Sequence, residues 1–346
     1  MSVRMVARAT RRGGVCVFFC AAFFSGNALA DDCPPLTIVS SIDLTPAGDK
    51  DAELVPMQLQ DKSYLMLLDT GAVVTEISSQ VADELGLVRR QGGLKLYSVS
   101  GDYSDEVVQT SFKLGRVFAK KKDFMIMQNT LTHDDERIGG LLGPDILKYY
   151  DTEIDFGADK LNLLSPDHCE GKVIYWPATA VAVVPMRVLA SGHIIVPVKL
   201  DGHTVMATLD TGASNSTLNQ LEAESYGLTM GSTDTPRVGE LAGRAANASI
   251  YRHTFKTLEF EGITMSNPII DILPEQMGHL LKNTPGLGTR LADPKYDDEK
   301  PPMLLGMNVL KHLHLYIAYK EEKLYITPAE VPATPSGTNG AAAAGN

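Results

Sequence analysis

Two stretches of this chain repeat one another closely. Residues 55–77, VPMQLQDKSYLMLLDTGAVVTEI, lie without a gap on residues 196–218, VPVKLDGHTVMATLDTGASNSTL, when the sequence is slid by 141 positions. Val55 and Pro56 fall on Val196 and Pro197, Leu59 on Leu200, and Leu68 on Leu209. The tetrad Asp69-Thr70-Gly71-Ala72 falls on Asp210-Thr211-Gly212-Ala213, and the register persists to LGL (85–87) and YGL (226–228). A second pair of blocks, LLGPDILKYYDTEIDFGADKLNLL (141–164) and LLGMNVLKHLHLYIAYKEEKLYIT (304–327), aligns at an offset of 163. The offset grows by 22, so the second half carries about that many extra residues, which the sequence places in the polar stretch 271–302. Such self-similarity means one structural unit used twice, and it restricts the fold to what two like units can build together.

Each unit reads mostly as strand. VPMQLQ, YLMLLD, HIIVPVKL and HTVMATLD are short, rich in apolar and β-branched residues, and broken by turn pairs such as Asp201-Gly202. A short helix is predicted after each acidic turn, over 78–87 and 218–228, stopping at Gly86 and Gly227. Each LLG block reads as an apolar run, a short helical piece and a hairpin such as 152–164. Many short strands with few helices predict an all-β, barrel-like unit. The expected organisation is a first lobe over 31–170, a linker over 171–182, a second lobe over 183–327, and a Pro/Gly-rich disordered tail over 328–346.

The first thirty residues read as a secretory signal peptide. Arg4, Arg8, Arg11 and Arg12 precede the apolar run VCVFFCAAFF (15–24), and ALA (28–30) is a small-x-small cleavage site. The run is short for a bilayer, which takes about 20 apolar residues. The sequence therefore predicts an exported, periplasmic or secreted protein with no membrane insertion after cleavage, and no lipid anchor. Part of 31–53 could serve as a propeptide. Loss of the four arginines takes the formal charge from −11 to −15. An acidic chain without a basic run makes nucleic acid a poor partner. Export leaves Cys33 and Cys169, which are expected to form a disulfide pinning the mature N-terminus to the end of the first half.

A carboxylate at the end of an apolar strand is costly. A turn aspartate capping its own backbone accounts for one copy. It does not account for a whole tetrad kept twice with the same apolar approach. Two units facing one another about a pseudo-twofold axis would bring the turns together, and like charges about 3 Å apart cannot both ionise. Asp69 and Asp210 would then share one proton, one acting as base on a water and the other as acid on an attacked carbonyl. Leu67, Leu68 and Leu209 supply a low-dielectric floor. Gly71 and Gly212 let backbone pass close to the carboxylates. The hydroxyls of Thr70 and Thr211 are placed to bond across to the opposite turn, and Ala72 and Ala213 are small where space is tight.

With those residues in view, the sequence resembles the aspartic proteases of the retropepsin/pepsin clan over roughly 37–327. The DTGA elements, each followed by LLG and a hairpin, look like retropepsin halves fused in tandem. The resemblance implies a bilobal acid-protease fold and a monomeric aspartic endopeptidase that takes a peptide or protein substrate and needs no cofactor or metal. It implies Asp69 and Asp210 as the catalytic pair, with Leu141-Leu142-Gly143 and Leu304-Leu305-Gly306 threading beside the acidic loops. Retropepsins commonly have Arg after the LLG glycine, where this chain has Pro144 and Met307. By position the flaps fall near 97–105 and 239–245, with Gly101 and Gly243 as candidate tips and Tyr97 and Tyr103 as candidate flap tyrosines, the alternative being ordinary hairpin residues.

Other motifs carry less. His312 and His314 alternate, but no HExxH or CxxC accompanies them, and the repeat aligns them with Tyr149 and Asp151, so they read as scaffold. No glycine-rich phosphate loop is present. The rival to the hydrolytic reading is a binding module that keeps the fold without the chemistry; both Asp, both Thr and both Gly weigh against it.

Overall fold

Alternation sets the strands. Along Lys62–Leu68, Met66 and Leu68 enter the main core, while Leu65 and Leu67 turn to the opposite face with Leu54, Met127 and Leu141. The computed structural model describes residues 2–5, 33–48, 51–97, 103–127, 138–240, 248–274 and 301–330.

The strands form three sheets, and two of them follow the repeat. In the first half the order runs Ala52–Leu59, Lys62–Leu68, Ile138–Leu142, Glu76–Ser78, Val117–Met127, Tyr103–Leu114, Arg90–Tyr97. In the second it runs Ile194–Leu200, His203–Leu209, Met303–Leu305, Thr217–Asn219, Ile269–Leu273, Ser249–Thr254, Arg237–Glu240. The orders are the same element for element. In each half a segment of the LLG block inserts as a strand parallel to the one that carries the acidic turn, pairing Leu142 with Leu68 and Leu305 with Leu209. Additional pairing of Ala52–Leu59 with Tyr103–Leu114 curls the first sheet toward a barrel. Ser2–Met5, inside the segment read as a signal peptide, borders Ile263–Ser266 at the edge of the second sheet.

The helices also repeat. Ser79–Glu84 starts on Ser78, whose hydroxyl accepts from the Val81 N–H at 3.2 Å. Gln220–Ser225 starts on Asn219, whose side chain accepts from the Glu222 N–H at 2.7 Å.

The third sheet joins the halves. Its order is Ala182–Pro185, Lys323–Pro328, Leu313–Ala318, Asp151–Asp155, Lys160–Leu164, Ile38–Asp43, three strands from each half. At its centre Glu153 stands opposite Tyr316, and Tyr316 is the residue that the repeat aligns with Glu153. The pseudo-twofold axis therefore runs through this pair. The lobes predicted over 31–170 and 183–327 thus share a sheet, which begins within the predicted linker at Ala182 and takes in Pro328, the first residue of the predicted tail.

The seam is polar and packed. His168 Nε2 lies 2.6 Å from the Asp151 carboxyl, which also accepts from the Tyr316 hydroxyl and the Tyr319 N–H. His314 Nε2 lies 2.9 Å from Glu153 and its ring stacks on Trp176 at 4.0 Å. A disulfide joins Cys33 to Cys169, with 5.0 Å between their Cα atoms. One continuous core holds Leu68 and Leu142 together with Leu209 and Leu305, all fully buried. Each such leucine contributes about 2 kcal/mol by leaving water.

Candidate active site

The acidic turns leave the central strands together. The Asp69 N–H donates to the Leu142 carbonyl and the Asp210 N–H to the Leu305 carbonyl, each at 3.0 Å. Each LLG block thus holds its own half's aspartate at the end of the strand. Each carboxyl then accepts from its own turn, from the Gly71 N–H onto Asp69 and the Gly212 N–H onto Asp210, both at 2.9 Å.

The turns lock across the halves. The Thr70 N–H donates to the Thr211 hydroxyl and the Thr211 N–H to the Thr70 hydroxyl, both at 3.1 Å. The Thr70 hydroxyl donates to the Leu209 carbonyl at 2.8 Å, and the Thr211 hydroxyl to the Leu68 carbonyl at 2.7 Å. Both threonines are buried. All four donors are satisfied by the opposite half, so neither turn has this geometry alone.

The glycines decide how near the carboxyls come. A Cβ at Gly71 would lie 2.2 Å from the Asp210 carboxyl carbon, and one at Gly212 would lie 2.4 Å from that of Asp69. Each aspartate therefore packs on the glycine of the other turn, and only a residue without a side chain leaves room.

A second symmetric device ties each turn to its LLG block. Asp145 accepts from the Thr75 N–H at 2.7 Å and from its hydroxyl at 2.6 Å, and the Thr75 hydroxyl accepts from the Gly143 N–H. In the other half Asn308 accepts from the Ser216 N–H and hydroxyl at 2.7 and 2.8 Å, and the Ser216 hydroxyl accepts from the Gly306 N–H. Lys122 pairs with Asp145. The two residues standing where retropepsins have Arg differ in role. The Met307 N–H donates to the Ala213 carbonyl, whereas Pro144 has no N–H to offer.

The electrostatics follow from crowding and proximity. Both aspartates keep some solvent contact as residues, yet protein atoms surround their carboxyls. Burial, and then the negative charge of Asp210, pushes Asp69 up to about 8, against the pull of the Gly71 and Ala72 N–H groups. Burial also raises Asp210, opposed by the Gly212 N–H and by His193. Two carboxyls raised by burial and linked to each other hold a proton between them at neutral pH.

Of the residues singled out in the sequence, Asp69, Thr70, Gly71, Thr211, Gly212 and Asp210 come together. Ala72 and Ala213 follow in the same turns. Tyr97 and Tyr103 stand opposite one another at the last described pair of two adjacent strands, while Gly101 and Gly243, the expected flap tips, lie outside the described residues. Among the described residues no cluster of three or more His, Cys, Asp or Glu is arranged to hold a metal ion.

Several contributors escape the sequence reading, among them Asp145 with Thr75, Asn308 with Ser216, and His193. His193 Nε2 lies 2.7 Å from the Gly71 carbonyl, reaching from the second half to the first half's acidic turn. The signal for it was a mismatch, because the offset of 141 sets Ala52 where the second half has His193.

Comparison with known families matches this architecture half by half. A family model described as gag-polyprotein aspartyl protease covers residues 55–149, and one described as aspartyl protease covers 196–309. Each half of the chain thus matches a model of the retropepsin-like aspartyl-protease kind. The matched segments each contain one DTGA turn and one LLG block, so each half is a retropepsin-type unit in its own right. No curated protein matches the chain significantly. Among solved structures, the basic 7S globulin from soybean is similar at 11% identity, over 86% of this chain and 96% of that one, with a TM-score of 0.46. Conglutin gamma, a basic 7S globulin from lupine seeds, is similar at 11% identity, over 85% and 95%, with a TM-score of 0.47.

Proposed function

We propose that this chain is an exported aspartic endopeptidase that hydrolyses peptide bonds with Asp69 and Asp210, working as a monomer on a peptide or protein substrate. The observation that carries the reading is the reciprocal packing of each carboxyl on the opposite glycine, which brings two buried acids together about a local twofold.

The chemistry is that of a shared proton. The ionised carboxyl takes a proton from a water as its oxygen attacks the substrate carbonyl carbon. The protonated carboxyl gives its proton to the carbonyl oxygen, and a tetrahedral diol forms. The first carboxyl, now protonated, passes its proton to the departing amine as the C–N bond breaks. The second takes back the proton of the collapsing hydroxyl, and the pair again holds one proton. The threonine lock keeps both carboxyls in place through the cycle, so little reorganisation accompanies charge movement. Export is supported by the Cys33–Cys169 disulfide, a bond that persists in oxidising compartments.

The test is digestion of an unfolded protein by the mature chain between pH 3 and 8, alongside Asp69→Asn and Asp210→Asn. Cleavage by wild type alone is the expected result. Cleavage retained in either variant removes the two-carboxyl mechanism. Absence of cleavage by wild type at every pH, with a bound peptide detected, marks a binding module on the same fold.

A further inference from the structure

The two turns are locked symmetrically, but one group beside them has no symmetric partner. His193 follows a tight turn in which the Leu189 N–H donates to the His193 carbonyl at 2.9 Å and the Gly192 N–H to the Leu189 carbonyl at 2.8 Å. Gly192 seats that turn on the LLG block of the other half: a Cβ there would meet the Pro144 ring at 2.7 Å. The imidazole is thus held by both halves.

Its hydrogen bonds fix one of its two ring nitrogens. A carbonyl only accepts, so Nε2, 2.7 Å from the Gly71 carbonyl, carries a hydrogen. Nδ1 lies 3.0 Å from the Ser191 hydroxyl, which can donate to it or accept from it. The ring therefore fits this site both neutral and charged, with no hydrogen bond lost in either form. The groups that face it are the Gly71 carbonyl, the Ser191 hydroxyl and, through charge, Asp210; of these only Asp210 ionises. Gly71 is also the glycine on which Asp210 packs. One residue therefore has His193 on its carbonyl and Asp210 against its Cα.

We infer that His193 is a positioning residue that divides the work of the pair, holding Asp210 as the ionised base and leaving the shared proton on Asp69. A positive imidazole stabilises the anion whose charge it meets, that of Asp210, and the Gly71 carbonyl holds the ring in place. No such group lies at Ala52, so the pair is asymmetric although its frame is symmetric. The inference rests on the hydrolytic reading above and assigns its acid and base.

The experiment is the pH profile of kcat/KM on a fluorogenic oligopeptide for the full chain, His193→Gln and His193→Ala. Glutamine can donate to the Gly71 carbonyl without a charge. His193→Gln is expected to lower the best kcat/KM by about three- to tenfold, because the base is no longer held ionised. Its acidic limb moves up by about 1 pH unit, the low end of what a nearby opposite charge does to a carboxyl. His193→Ala shows the same move and a further loss of about tenfold, because the turn loses its anchor. A His193→Gln profile that superposes on wild type, or that drops equally at every pH, overturns the inference.

Thermal melting at mildly acidic pH gives a readout free of turnover. His193→Gln should lower Tm in the wild-type background and leave it within about 1 °C in an Asp210→Asn background. Equal losses in both backgrounds overturn the inference whether or not peptide is cut. Coupling without cleavage counts against the hydrolytic reading alone.

Discussion

The hydroxyl of Thr70 accepts from the N–H of Thr211, and the hydroxyl of Thr211 accepts from the N–H of Thr70, each at 3.1 Å. The same hydroxyls donate onward to Leu209 and Leu68. Thr70→Val keeps the shape but leaves the buried Thr211 N–H and the Leu209 carbonyl without their partner. The expected cost is about 2–4 kcal/mol in urea unfolding, from two orphaned buried groups. Because the turns carry the carboxyls, kcat falls by about 10- to 100-fold. Thr70→Ser, which keeps the hydroxyl, should recover most of both. A Thr70→Val protein as active as wild type would show that the lock does not position the acids.

Gly71→Ala tests the close approach. The new Cβ would stand 2.2 Å from the Asp210 carboxyl carbon, well inside contact, and the carboxyl must move. Activity should fall by at least about 100-fold, since displacements of about 1 Å cost that much. Far-ultraviolet circular dichroism should stay that of wild type, because the strand on either side is unchanged. Gly212→Ala should behave alike through Asp69. Normal turnover in either variant would mean that the carboxyls do not need this packing.

How much of this could be read from residues depended on whether the signal repeated in one frame. The acidic turns, the LLG insertion and the helix caps Ser78 and Asn219 recur at constant offsets, so the frame of each half was legible. The shared six-stranded sheet was not. A strand such as Asp151–Asp155 has the same alternation whether it pairs within its half or with Leu313–Ala318, and only tertiary packing chooses. Asp145 and Asn308 serve one role with different side chains, from a block aligned at 163 while their partners Thr75 and Ser216 align at 141. His193 falls where the repeat fails. Glu76 is a further case, since the repeat sets Thr217 at its position.

Glu76 predicts a stability effect of definite sign. Burial, and then the charge of Asp145, raises its carboxyl to about 7. It stands opposite Leu141 and beside Met125, both buried apolar residues. A carboxyl with a raised folded value favours the folded state below its unfolded value and loses that contribution as pH rises through the folded one. Glu76→Gln removes the charge and should therefore be more stable than wild type above pH 7, by about 2 kcal/mol at pH 8.5, after allowing for its partial exposure. At pH 4 the two should melt alike. A Tm difference independent of pH would show that Glu76 is not held in this state.

The seam gives the last pH effect. His168 and Asp151 are side chains with 2% and 0% exposure, 2.6 Å apart. Burial alone would lower His168, but the Asp151 carboxyl and the Cys169 carbonyl outweigh it, so the imidazole is raised above its ordinary value. Its stabilising contribution is complete below the unfolded value near 6.5 and fades as pH rises through the higher folded value. Asp151 is raised by burial in spite of His168, so its contribution also declines with rising pH. Wild-type Tm should therefore fall between pH 6 and pH 9. His168→Gln should be less stable than wild type at pH 5.5 by about 3 kcal/mol, the cost of stranding one member of a buried pair. The gap should narrow as pH rises, because wild type too loses the cation. A constant gap across this range would mean that packing against Tyr316, and not the charge on His168, holds the halves together here.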